Sequence, residues 1–216
     1  QKPLEALPWL YRAKRAGSTD KLVSYGMRTA LDSLAATKLL LVGHSDRVTS
    51  ATYRPDGRHI LTASDDKTAR IWAADTGRLV AELAGHTASI YSTAYSPDGL
   101  RIVTAGADKT ARVWDAETGR FLFELRGHKD SIQSATYSPD GRRIVTTSVD
   151  KTAKIWDAAT GKELATLSHS FFVDTVAFSA DGKLLATGSL DGTARLWDAA
   201  TGSLLHTFAA PEGWLV

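Results

Sequence analysis

Four sets of side chains in this sequence combine the residue types of a hydrolytic catalytic triad. Each set has a histidine, a threonine and an aspartate, which are base, hydroxyl and acid types, followed by a tryptophan. The histidines are 42, 42 and 41 residues apart, and each tryptophan comes 28 residues after its histidine. The sets are His44, Thr62, Asp66 and Trp72; His86, Thr104, Asp108 and Trp114; His128, Thr146, Asp150 and Trp156; and His169, Thr187, Asp191 and Trp197.

The number of copies favours a structural interpretation of these sets over a catalytic one. An enzyme usually needs one site, whereas a repeated scaffold produces the same set at equal intervals. A carboxylate placed under a loop costs free energy unless its oxygens accept hydrogen bonds, and here the donors recur at fixed spacing. We therefore predict that the chain has no catalytic residues and is not an enzyme.

The sequence between the sets predicts short antiparallel strands. In the third repeat, a β-rich run is followed by the turn SPDG (138–141), a turn at Asp150 and Lys151, and the turn DAATG (157–161). The strands are predicted over 131–137, 143–147, 152–156 and 162–167. Four such strands make a sheet meander, and one sheet cannot bury both faces, so the copies must stack face to face.

The motifs of each repeat resemble those of the WD-repeat β-propeller family. A Gly-His pair, then SPDG, then S-x-D-K-T, then a closing Trp-Asp recur over about residues 38–208. The fourth repeat departs with Ser168-His169, and the first departs with Trp72-Ala73. The resemblance implies an all-β propeller of four-stranded antiparallel blades over 37–210, with repeats at 44–85, 86–127, 128–168 and 169–208.

The resemblance also implies roles for individual residues. Each set above would form a hydrogen-bonded chain from aspartate through histidine to threonine and tryptophan, here called a tetrad. Positions that vary between repeats would ring the entrance of the central channel, on the face used for partner proteins. These rim residues are Arg47, Thr49, Asp65, Ser89, Tyr91, Ala107, Ser131, Gln133, Val149, Phe171, Phe172, Asp174 and Leu190.

Two neighbouring phenylalanines set the fourth repeat apart. Phe171 and Phe172 follow His169, where the third repeat has Lys129 and Asp130. Exposed apolar side chains in such a loop mark a contact surface. The alternative is that one of them folds under the loop to fill the space of a deleted residue.

Residues 1–36 lack the strand and turn pattern of the repeats. Pro8 begins a predicted first helix, and apolar residues from Val23 to Leu34 recur at helical spacing in a second one. This short helical hairpin resembles the connectors ahead of WD-repeat regions in large bacterial signalling proteins with kinase or NTPase architectures. Residues 211–216 are interpreted as a C-terminal tail.

Composition excludes several functional classes. The net charge of +2, from 26 basic and 24 acidic residues, is too small for a general polyanion binder, so we predict no nucleic-acid partner. No run of about 18 apolar residues predicts a membrane-spanning helix. Cysteine is absent and no metal-ligand spacing occurs, so we predict no bound metal and no other cofactor. A chain without cysteine is compatible with a reducing compartment, and a cytoplasmic location is expected.

Four blades do not close easily into one ring. Both LLLVG (39–43) and SLLHTF (203–208) have the pattern of a fourth strand, but only one can pair with the strand ending at Trp197. A half-ring would expose blade faces and strand edges. We predict a homo-oligomer in which two chains complete an eight-bladed ring, or a ring completed by another subunit or by sequence outside this one.

The predicted function is a non-catalytic protein–protein interaction scaffold that presents its rim to partner proteins. This follows from a rigid repeated architecture with varied loops, and partly from analogy with the family. The alternative is a sensory or regulatory module of a larger signalling enzyme, a kinase or NTPase, with its catalytic domain elsewhere.

Overall fold

The computed structural model describes residues 40–209, which form sixteen β-strands. The strands are β1 (Val48–Tyr53), β2 (His59–Ser64), β3 (Thr68–Ala73), β4 (Leu79–Ala84), β5 (Ile90–Tyr95), β6 (Arg101–Gly106), β7 (Ala111–Asp115), β8 (Phe121–Leu125), β9 (Ile132–Tyr137), β10 (Arg143–Ser148), β11 (Thr152–Asp157), β12 (Glu163–Ser168), β13 (Val173–Phe178), β14 (Leu184–Ser189), β15 (Thr193–Asp198) and β16 (Leu204–Ala209).

The strands form four antiparallel sheets of four consecutive strands each. These sheets are called blades 1 to 4, with β1–β4 in blade 1 and β13–β16 in blade 4. Within every blade each strand pairs with the next one along the chain, as the turn signals predict. The predicted all-β fold of four-stranded antiparallel blades is confirmed.

The turns have a repeated chemical basis. In the first turn of blade 3, the Ser138 hydroxyl donates to Asp140 over 2.5 Å, and Gly141 has φ 70°. The second turn places a lysine in the left-handed region in blades 1 to 3, with φ 70° at Lys67, 68° at Lys109 and 71° at Lys151. Because L-residues avoid this region, these three turns hold their lysines at a backbone cost.

The core lies between blades rather than within one sheet. At the junction of blades 2 and 3, Val113 and Leu125 of blade 2 pack in one buried cluster with Ile132, Tyr137 and Ile144 of blade 3. Equivalent clusters join blades 1 and 2 and blades 3 and 4. Face-to-face stacking thus buries the apolar side chains that a single sheet would leave in water.

Several predictions concern residues at or beyond the ends of this region. The predicted helical hairpin over 1–36 and the tail over 211–216 lie outside the described residues. At the two candidate fourth strands, β16 pairs with β15, whereas residues 40–44 form no strand. Within residues 40–209, no helix is long and apolar enough to cross a membrane.

Candidate functional site

Each tetrad is assembled from four different parts of one blade. In blade 2 the histidine precedes β5, Thr104 lies on β6, Asp108 lies in the β6–β7 turn and Trp114 lies on β7. The Nδ1 atom of His86 lies 2.7 Å from Asp108 Oδ2, and its Nε2 atom lies 2.7 Å from Thr104 Oγ1. The indole N–H of Trp114 donates to the same Thr104 oxygen over 2.9 Å.

The other blades repeat this geometry, with one looser contact in blade 4. The distance from histidine Nδ1 to aspartate Oδ2 is 2.8 Å in blades 1 and 3 but 3.3 Å between His169 and Asp191. The distance from histidine Nε2 to the threonine hydroxyl is 2.7–2.8 Å in these three blades. The structure therefore brings together all four sets of predicted tetrad residues.

The turn aspartate also holds residues that sequence reasoning missed. In blade 3, Asp150 Oδ1 accepts from both the backbone N–H and the hydroxyl of Thr152, over 3.0 and 2.6 Å. Its Oδ2 atom accepts from the backbone N–H of Lys129 over 2.8 Å. The equivalent threonines are Thr68, Thr110 and Thr193. Their signal was in the sequence, since a threonine follows the aspartate by two residues in every repeat.

This hydrogen bonding sets the protonation state of the aspartates. Burial opposes ionisation of Asp108 and by itself would raise its pKa. Hydrogen bonds from the His86 ring, the Thr110 hydroxyl and the Thr87 backbone outweigh burial and hold the pKa well below its usual range. The pKa values of Asp66, Asp150 and Asp191 are lowered in the same way. All four carboxylates are therefore charged at neutral pH.

The tetrad resembles a catalytic triad in its order of contacts but not in its access to substrate. With Asp108 ionised, the His86 ring donates from Nδ1 and accepts at Nε2 from the Thr104 hydroxyl. The same hydroxyl oxygen accepts from Trp114, and both residues are buried, with exposed fractions of 0% and 2%. A substrate has no path to this oxygen, so the geometry supports a structural rather than a catalytic role.

The described region offers no obvious metal site. Across residues 40–209, no group of three or more histidine, aspartate or glutamate side chains is arranged to hold a metal ion. The tetrad histidines use both ring nitrogens within the blade, as in blade 3.

The predicted rim residues lie at the ends of the blades where the tetrad turns lie. In blade 1, Arg47 is exposed and its Nε atom donates to Asp65 over 2.9 Å. The Thr49 hydroxyl donates to the backbone carbonyl of Ile90 in blade 2, so Thr49 also contributes to the blade junction. The half-buried rim residues of blades 2 and 3 are Ser89, Tyr91, Ala107, Ser131, Gln133 and Val149.

Blade 4 carries the most exposed apolar part of this rim. Phe171 and Phe172 stack with ring centroids 4.3 Å apart, and the Lys151 ammonium lies 5.9 Å from the Phe171 centroid. Phe171 is 43% exposed and Leu190 is 58% exposed, whereas Phe172 is half-buried. We call Phe171, Phe172, Leu190 and Lys151 the aromatic patch. The adjoining rim residue Asp174 is also exposed.

Backbone contacts fix the loops of the aromatic patch. The Leu190 amide donates to the Phe172 carbonyl over 2.9 Å, and the Ser189 hydroxyl donates to the Phe171 carbonyl over 3.2 Å. The two phenylalanines therefore take up different positions. Phe172 is partly covered, as the space-filling alternative expects, while Phe171 stays exposed, as the contact-surface alternative expects.

Acidification is expected to destabilise the fold through His169 of blade 4. Burial lowers the pKa of His169 below its usual value, and the nearby Arg195 lowers it further. The unfolded chain then binds more protons than the folded chain as pH falls below about 6.5, so stability decreases with decreasing pH. Thermal melting of the wild type and His169→Gln between about pH 7 and pH 5 tests this. The variant should lose part of the pH dependence, and an unchanged slope would contradict the assignment to His169.

The blades, their tetrads and the turn motifs define a class of protein, the WD-repeat β-propellers. Within that class, a family model described as "IFT122 first beta-propeller" matches residues 47–214. The chain belongs to this family.

Known proteins with similar repeats support the same class. The chain is 36% identical over 73 residues to nuclear distribution protein nudF 2 of Aspergillus clavatus, covering 32% of this chain and 17% of that protein. It is 46% identical over 46 residues to the ribosome biogenesis protein BOP1 homolog of Monosiga brevicollis, covering 21% of this chain and 6% of that protein. The chain thus spans only a small part of these relatives. They support the WD-repeat assignment but not the narrower resemblance to bacterial signalling proteins.

Proposed function

We propose that this chain is a non-catalytic scaffold that binds partner proteins through the rim of its blades. The observation that carries the proposal is the contrast between fixed tetrads and varied rim residues. In every blade the aspartate ties two loops together, through a histidine on one side and a threonine on the other. Rigid loops with varied side chains bind partners without first losing much conformational freedom.

The aromatic patch supplies the strongest candidate contact within this rim. Phe171 presents a partly exposed ring that is already held by stacking on Phe172, so little side-chain entropy is lost when a partner covers it. Aromatic residues in such positions commonly dominate binding energy. The adjacent Lys151 gives the patch a positive edge, which favours a partner with an apolar side chain beside an acidic one.

The partners of this scaffold are proposed to be proteins rather than nucleic acids. The net charge of +2 gives little general attraction to phosphate, and the rim residues include the acidic Asp65 and Asp174. The names of the relatives refer to nuclear distribution and to ribosome biogenesis, so they point to no single partner for this chain. A cytoplasmic location likewise remains a prediction.

Comparative affinity capture tests the proposed rim. The wild type, Phe171→Ala and Tyr91→Ala are used as baits under identical conditions, and recovered proteins are quantified. We expect proteins recovered by the wild type to fall at least about fivefold with Phe171→Ala, since interface aromatics commonly contribute above 1 kcal/mol.

Leu100→Ala is the matched control because Leu100 is 59% exposed but lies in the β5–β6 turn, at the opposite end of β5 from Tyr91. It should leave recovery unchanged. If neither rim variant alters the recovered proteins while folding is intact, the rim is not the contact face.

The second candidate function is a sensory or regulatory module of a larger signalling enzyme. The short coverage of the relatives, 17% of nudF 2 and 6% of the BOP1 homolog, shows that repeats of this kind occur within much longer proteins. A gene product that joins these blades to kinase or NTPase motifs would favour this candidate.

A further inference from the structure

Among residues 40–209, blades 1 and 4 leave uncovered the same kinds of surface that the inner junctions bury. Each junction joins the front of one blade to the back of the one before it. The front contributes its first strand and the tyrosine or phenylalanine that ends it, such as Ile90 and Tyr95. The back contributes aliphatic residues of its second, third and fourth strands, such as Leu61, Ile71 and Leu83.

The front of blade 1 carries apolar residues at the same positions, but no blade in the described part of the chain packs against it. Val48 and Tyr53 are 49% and 64% exposed, whereas the equivalent Ile90 and Tyr95 are 0% and 9% exposed. At the back of blade 4, Phe208 is 59% exposed, while the equivalent Leu125 of blade 2 is 1% exposed. In the described part of the chain, a front and a back are therefore both open, and their apolar surfaces match those that pack together at the inner junctions.

The space around the turn glycines differs between blade 1 and the other blades in the same way. A Cβ atom on Gly99, Gly141 or Gly182 would lie within 3.6 Å of a proline ring in the preceding blade. At Gly57, the equivalent residue of blade 1, nothing lies within 4 Å. Blade 1 thus has room for a preceding blade in the place where the other blades have one.

A surface hollow between blades shows which positions of a preceding blade would line the equivalent hollow of blade 1. Between blades 2 and 3 a hollow is lined on one side by Ser96, Asp98, Leu100 and Arg101, and on the other by 137, 141–142 and 157–159. Blade 1 has the corresponding hollow, but it is lined from one side only, by 57–59 and 73–75. Blade 4 carries Ser179, Asp181, Lys183 and Leu184 at the positions of the absent wall.

Both surfaces carry exposed groups of both signs. The Nζ atom of Lys183 and the Oδ2 atom of Asp181 in blade 4 are 4.0 Å apart, and the two side chains are 81% and 58% exposed. In a junction built like the inner one, these residues would line one wall of the hollow, and the exposed Arg58 and Asp75 of blade 1 would line the other. Pairing Lys183 with Asp75 and Asp181 with Arg58 would then join opposite charges across the junction from blade 4 to blade 1.

We propose that a second copy of this chain covers both open surfaces. The back of blade 4 in each copy receives the front of blade 1 in the other, and the two identical junctions give a two-fold pair of eight blades. Propellers with four to eight blades are known, so eight lies within the range that can close. This inference concerns the blade faces and does not depend on partner binding at the rim.

The mass of the purified 216-residue chain provides the first test. Light scattering or sedimentation at about 100 µM should give twice the chain mass of 23.2 kDa, since interfaces of ordinary size bind at micromolar concentrations or tighter. A single-chain mass would overturn the proposal, as would masses above two chains, because they show open head-to-tail assembly.

Paired variants test the front-to-back geometry. Tyr53→Glu damages only the front, and Phe208→Glu damages only the back. Each variant alone loses both junctions and should be monomeric, while an equal mixture keeps one intact junction and should form a heterodimer. A mixture that stays monomeric, when the wild type is dimeric and both variants are folded, would contradict this geometry.

Charge exchange tests the register of the junction. Lys183→Asp and Asp75→Lys should each weaken dimerisation roughly tenfold, because each places like charges together at two junctions. The chain with both changes restores opposite charges and should recover most of the affinity. If the double variant is as weak as the two single changes combined, Lys183 and Asp75 do not meet.

Discussion

Replacing Asp108 with alanine is expected to lower the free energy of unfolding by on the order of 3 kcal/mol. The carboxylate accepts from His86, from Thr110 and from two backbone N–H groups, and its side chain is only 5% exposed. Alanine would leave these donors without an acceptor. For a chain of this length the loss corresponds to a fall in Tm of about 6–12 °C, measurable by circular dichroism or calorimetry.

A matched control distinguishes the buried aspartate from an exposed one. Asp157 accepts from Thr160 in an exposed turn, and blade 1 forms the same turn with Ala73 at that position. Asp157→Ala should therefore cost no more than about 1 kcal/mol. Asp108→Asn, which keeps the shape and one oxygen, should be intermediate. Unchanged melting of Asp108→Ala would contradict the structural role of the tetrad.

Replacing Trp156 with alanine is expected to cost about 4 kcal/mol. The indole is 1% exposed, packs in the cluster between blades 2 and 3, and donates to Thr146 over 2.8 Å. Removal leaves a cavity at a junction held on both sides by rigid sheets, which limits relaxation. Denaturant unfolding, with the midpoint and slope both measured, provides the value.

Two further variants separate the packing of Trp156 from its hydrogen bond. Trp156→Phe retains most of the ring volume but loses the N–H donor, so it should cost about 2 kcal/mol. Leu164→Ala is the control in the same blade, because Leu164 is 50% exposed and its loss should be near zero. If Trp156→Ala cost as little as Leu164→Ala, the inter-blade cluster would not be the core.

The repeat made the strands and the tetrads predictable from sequence. His128 and Trp156 are far apart in sequence but recur at a fixed offset, which indicates that one geometry holds them in every copy. Turn chemistry at Ser138 and Gly141 then placed the strand ends. Because each blade is a local meander, most of its pairing follows from neighbouring sequence.

Other features were less accessible because they depend on contacts between blades. Thr49 was interpreted as a rim residue, but its hydroxyl donates to the Ile90 carbonyl of the next blade. The role of Thr152 is a different case, because its bond to Asp150 lies within one turn and the threonine recurs two residues after the aspartate in every repeat. Phe171 and Phe172 could not be separated by sequence, since only their exposure in the folded chain shows which ring is covered.

The left-handed turns at Lys67, Lys109 and Lys151 have a consequence for the composition of this surface. Blade 4 has Gly192 at the same position, with φ 79°, and glycine adopts this conformation without steric penalty. Each lysine instead forgoes about 1 kcal/mol of backbone free energy. Three ammonium groups are thus held at the tetrad turns at a combined backbone cost similar to the loss of one tetrad aspartate. Replacing these three lysines with glycine would remove local positive potential and would also remove the backbone cost of the three turns.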